Sequence, residues 1–151
     1  MMLLARSLIA LVSIETLIGS NMADWNHTHI FSEMWSPHAR FHGAWFVFSV
    51  SLLSLLSLGL LWSRNAQPQR ARISAGIQLC IWVAFFPAML VPHTLLADPG
   101  SEVTLVGIDL NLLGAIFNVV LLAISFVLLR SDHGKASAST RAADRQSSRG
   151  Y

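Results

Sequence analysis

The chain has 151 residues, of which 54% are hydrophobic and only 12% charged, a length that fits one domain. Its net charge of +2 comes from basic residues clustered in two places, with no aromatic residue among those of the tail except the final Tyr151, so it is not a nucleic-acid footprint. A single cysteine, Cys80, lies in an apolar run; it excludes an intrachain disulfide and any CxxC metal or redox motif, and reads as a buried membrane thiol.

The apolar residues are gathered in runs of about 20, the thickness of a bilayer core. The first run covers residues 3–20, interrupted by Arg6 and Glu15. A signal peptide is one reading of it, but a carboxylate is a poor resident of an h-region, and a retained first helix is preferred. Residues 21–36 are polar and aromatic. Ser36-Pro37 then marks a helix start, with Ser at the N-cap and Pro at the first helical position. The second span is predicted at 41–62 and is followed by a loop carrying Arg64, Arg70 and Arg72. The third span is predicted at 73–95, kinked by Pro87 and loosened by Pro92. Asp98-Pro99-Gly100 reads as a turn, and the fourth span as 103–129. The Ser-, Ala- and Arg-rich tail, 131–151, reads as disordered.

The expected fold is therefore all-α, an integral membrane four-helix bundle over 1–130. The arginines after span two and the basic tail, against Arg40 alone in the first loop, place both termini in the cytoplasm by the positive-inside rule. The first and third loops then form the outer face. Five of the six histidines lie there: His27, His29, His38, His42 and His93. Trp25 and Trp35 read as outer interface anchors and Trp62 as the inner one. The expected location is a multi-pass protein of a bacterial inner membrane.

His38 and His42, one turn apart on a well-signalled helix, share a face. Neutral imidazoles at this spacing hold a metal ion; the alternative is a pair of interfacial histidines bonded to headgroups or carbonyls. His27 and His29, if extended, point the same way and join a metal site or shuttle protons; otherwise they are a solvated loop. Glu15 is an ionisable group inside a span and by default suggests function, the alternative being polar glue between helices. Asp24 and Asp109 are further carboxylates towards the same face. Gly107, Asn111, Gly114, Asn118 and Ser125 form a stripe that is first a packing face; if it lines a pocket, Asn111 and Asn118 are its donors.

The segment Ala39-Arg40-Phe41-His42-Gly43, opening the second span, resembles the Ala-Arg-x-His segment of styrene oxide isomerases, small four-helix membrane enzymes. Asp98-Pro99-Gly100 and Gly107-Ile108-Asp109 extend the resemblance. It implies haem b ligated by His42, ferric iron as a Lewis acid on an epoxide oxygen, and a trimer with haem between subunits.

The residues and the resemblance together lead to an expected function. The chain is an enzyme that opens or isomerises a small hydrophobic epoxide arriving from the membrane lipid. Glu15, Asp24, His38, Asp109 and Asn111 are the catalytic candidates. His42 is the cofactor ligand, with His38, His27, His29 and His93 as further metal ligands. The cofactor is haem b, another transition metal, or none, and a homo-oligomer is expected. The alternative is a non-catalytic membrane protein that handles a metal or protons.

Overall fold

The computed structural model describes residues 1–63, 67–97, 99–100 and 102–147, with side chains to residue 131. Four helices dominate: α1 (Met2–Asp24), α2 (Pro37–Trp62), α3 (Pro68–Ala88) and α4 (Leu110–Ser147). A short antiparallel pair, β1 (Thr104–Leu105) and β2 (Ile108–Asp109), precedes α4. Each helix contains a stretch long and apolar enough to cross a bilayer, in α4 the segment Leu110–Ser131. The chain is a multi-pass membrane protein of all-α, four-helix class.

Consecutive helices pack side by side, α4 closes against α1, and α1 also meets α3 across the diagonal. An even number of spans brings both ends of the bundle to one side. The face formed by residues 25–36 and by the described residues between Met89 and Asp109 lies on the other.

The interior mixes small and polar residues with a few aliphatic ones, Ile9, Leu61, Leu122 and Leu129, while most large apolar side chains point outward. Ala5, Ala75, Ala115, Ser13, Ser57 and Ser74 are fully buried, whereas Leu11, Phe46, Leu52 and Val127 are exposed. That inversion suits lipid, where burying leucine against leucine gains nothing over acyl chains and helices associate by close packing and hydrogen bonds. The bonds are present. Trp82 Nε1 donates to Thr16 Oγ1 at 2.9 Å, Asn21 Nδ2 to Ser51 Oγ at 2.8 Å and Gln78 Nε2 to Ser54 Oγ at 3.3 Å. Ser57 bridges Ser13 and Ser74. Each such interhelical bond contributes roughly 0.6 kcal/mol. Cys80 is exposed on the bundle surface, not buried as the sequence suggests.

Several boundaries differ from the sequence expectation. Helix α1 runs past Ser20 to Asp24 because Ser20 and Asn21 bond back to the carbonyls of Thr16 and Leu17 and so remain helical. Helix α3 ends at Ala88. Pro87 therefore lies in the last turn of the helix instead of kinking a span that reaches residue 95. Helix α4 begins at Leu110, since 103–109 form a hairpin whose turn residues, Val106 and Gly107, have φ of 54° and 76°. The backbone of α4 stays helical to Ser147, over residues read from sequence as a disordered tail. Ala, Arg, Lys and Gln are good helix formers, and the membrane span supplies the nucleus from which they propagate. Asp98, of the expected turn, lies outside the described residues, as do Arg64 and the last residues of the tail.

Candidate functional site

Helix α2 starts as its sequence specifies. Ser36 Oγ accepts from Ala39 N at 3.2 Å and Pro37 occupies the first turn. The preceding loop is clamped to the same turns. Arg40 Nη2 donates to Ser32 O at 2.9 Å, Ile30 is 3% exposed, and the Trp35 ring lies against Gly43. A Cβ on Gly43 would fall 2.6 Å from Trp35 Cζ3, so only glycine allows that approach. Arg40 and Gly43 are thus used to hold the loop, which leaves His38 and His42 on the free face of α2.

The two imidazoles converge. Their Nε2 atoms are 3.1 Å apart, with ring centroids at 4.5 Å and planes at 85°. One ring donates and the other accepts, the roles being set by the tautomers. Two nitrogens bound to a tetrahedral zinc ion would be about 3.3 Å apart, close to the 3.1 Å of this pair. A haem held by His42 would need the His38 ring to swing away from His42 Nε2.

Beside the pair is an aromatic groove. Phe41, Ala44, Trp45 and Phe48 line an open, apolar hollow of about 350 Å³. A second of about 320 Å³, lined by Asn21, Met22, Trp25 and Phe48, continues it towards α1. The His42 ring lies 6.0 Å from that of Trp45 and 5.7 Å from that of Phe41. Trp25 meets Phe48 edge-on at 5.6 Å. The arrangement offers an apolar slot open to the bilayer with an imidazole pair at its rim.

The remaining candidates do not join this pair. Residues 26–31 form turns instead of an extended strand, because Asn26 Oδ1 accepts from Thr28 N at 2.9 Å and Phe31 N returns to Asn26 O. His27 is exposed beside Phe31. His29 Nε2 lies 3.9 Å from Asp24 Oδ1, a separate pair. His93 is exposed, with a φ of 67°. Among the described residues no three His, Cys, Asp or Glu side chains gather as a metal cluster. The five histidines of this face are not one site.

Asp109 and Asn111 act locally. Asp109 Oδ1 accepts from Asn111 N at 2.8 Å and caps α4, while Asn111 Nδ2 donates to Leu96 O at 2.8 Å and ties down the preceding loop. Gly107 belongs to the hairpin turn and not to the α4 stripe. Asn118 is buried and donates to Glu15 Oε2 at 2.8 Å, so Glu15 belongs to the α1–α4 seam.

Residues 8–130 match DUF6640, described as a family of unknown function. The chain belongs to this family. No curated protein and no solved structure is significantly similar to it. The family match runs from the first span through the last, so the His38–His42 pair, the groove and the Glu15–Asn118 seam all lie within the family's own segment.

Sequence reasoning missed the groove and Gln78. Phe41, Trp45 and Phe48 stand at i, i+4 and i+7, a spacing that marks one helix face; that stripe was the available signal. Gln78 is a lone amide in the middle of an apolar run, fully buried, with its Oε1 free of hydrogen bonds.

Proposed function

We propose that this protein is an integral membrane enzyme that opens or isomerises a small hydrophobic epoxide at the His38–His42 pair. The observation that supports the reading is the convergence of the two Nε2 atoms at the rim of an aromatic groove open to the bilayer. Phe41, Trp45 and Phe48 receive the apolar body of a substrate dissolved in the membrane, and an epoxide oxygen then lies towards the imidazoles. His38 and His42 are the residues that would hold a transition-metal ion between their nitrogens. Such an ion supplies Lewis-acid polarisation of the ring oxygen. The imidazole pair also moves a proton at Nε2 with no cosubstrate. The histidine of the Ala-Arg-x-His segment shared with styrene oxide isomerases falls on His42, and haem b there is the form of the proposal that requires His38 to rotate. The arginine distribution supports an inner-membrane orientation with both termini cytoplasmic. A homo-oligomer would cover the exposed side of the groove.

A second reading has its own observation. A two-imidazole site open on one face, with no third ligand among the described residues, suits capture and release of a metal ion or proton without catalysis.

The test is conversion of an aryl epoxide by the purified protein in lipid nanodiscs, with metal content measured in the same sample. The enzyme reading predicts aldehyde or diol, reduced roughly 100-fold or more by His42→Ala. Metal bound without any turnover would instead favour the carrier reading.

A further inference from the structure

Glu15 is nine residues from the Asp24 end of α1, about 13 Å into the bilayer at 1.5 Å per residue. Its side chain is exposed on the outside of the bundle, along the seam with α4. There it meets Asn118, which is only 2% exposed and donates Nδ2 to Glu15 Oε2 at 2.8 Å. The seam is open around them. Gly19, one turn along α1, would present a Cβ 3.5 Å from Glu15 Oε1, and a Cβ on Gly114 of α4 would meet nothing within 4 Å.

Among the described residues no cation reaches this carboxyl, and the only salt bridge is His29–Asp24. The charged and titratable groups of the elements packed on α1 sit near the helix ends. His38, Arg40 and His42 open α2, Arg70 and Arg72 open α3, and Asp109 and Arg130 flank the α4 span. Arg6, on α1 itself, is nine residues from Glu15 in the other direction, again about 13 Å. Cys80 on α3 is exposed. An acidic group facing acyl chains without a counterion is expensive and by default marks a binding or transport role.

The chemistry of the notch selects its ligand. Asn118 gives one of its two Nδ2 hydrogens to Glu15 Oε2, and Glu15 Oε1 and Asn118 Oδ1 accept no hydrogen bond among the described residues. An acceptor-rich, acidic notch in hydrocarbon fits a ligand that brings N–H donors and a positive charge on an apolar body. We propose that the Glu15–Asn118 notch binds the amino group of lipophilic amines dissolved in the bilayer. A neutral amine and a carboxylic acid carry the same total charge as the ion pair formed when the proton passes from oxygen to nitrogen, so the complex is neutral overall and compatible with the acyl chains around it.

The site is separate from the His38–His42 pair, and the experiment keeps them apart. A dansylated decylamine is titrated into the full chain in detergent micelles and followed by fluorescence, beside its N-acetylated analogue, which lacks the basic nitrogen. Saturable binding of the amine is expected, with binding by the acetylated probe weaker at least tenfold. Glu15→Gln and Asn118→Leu should each weaken the amine at least tenfold, while His42→Ala should bind it as the wild type does. As a measurement on wild-type protein alone, the amine should protect Glu15 from labelling by dicyclohexylcarbodiimide. Equal binding of the acetylated probe, wild-type affinity in Glu15→Gln, or carbodiimide labelling unaffected by the amine would overturn the proposal. So would loss of a homo-oligomer in Glu15→Gln with no amine binding by the wild type, which would assign the notch to a second copy of the chain.

Discussion

At Gly43 the absence of a single methyl group decides how the site is built. Trp35 packs against Gly43, and a Cβ there would lie 2.6 Å from its ring. Gly43→Ala must push Trp35 out and loosen the loop that Arg40 ties to α2 through Ser32 O. Overpacking of this kind destabilises by about 1–3 kcal/mol. A lower thermal midpoint in detergent is expected for Gly43→Ala, and the same change made in a Trp35→Ala background should be nearly silent. An unchanged midpoint in the single variant would show that the ring does not rest on Gly43. The methyl-free position also explains why the Ala39–Gly43 segment pairs an arginine and a glycine with a histidine: two residues hold the loop and the third faces outward.

The elements were legible where local chemistry was strong. Ser36-Pro37 signalled α2 because an N-cap and a first-turn proline act within a few residues, and the structure starts the helix there. The start of α4 was not legible, since Val103, Leu105, Val106 and Ile108 prolong the apolar run while forming a hairpin. Val106-Gly107 is not a usual turn pair. A two-residue turn with positive φ at both positions favours Asn-Gly, and Val106 sits at φ 54° while 93% exposed. Left-handed backbone costs a β-branched residue about 1–2 kcal/mol. Val106→Asn should therefore raise the thermal midpoint, because it relieves the strain and removes no buried contact. A fall in the midpoint would mean that the valine side chain holds the hairpin in place.

Over the whole molecule, hydropathy alone exposed the four spans, because a bilayer fixes their length. The site was legible only in part. His38 and His42 were paired by their spacing, whereas the turn around Asn26 separates His27 and His29 from them, and the contact between Glu15 and Asn118 joins residues 103 positions apart. No local pattern reports such a contact. Orientation is checked by fusing a reporter after Tyr151: cytoplasmic activity is expected, and activity on the opposite side would reverse the assignment of the histidine face. The most direct test of the imidazole pair is calorimetric titration of the purified, metal-stripped protein with Zn²⁺ and Co²⁺. One site is predicted in the wild type, abolished alike by His38→Ala, His42→Ala and the double variant, since two ligands of one ion act as a unit. Wild-type affinity in either single variant would contradict the site.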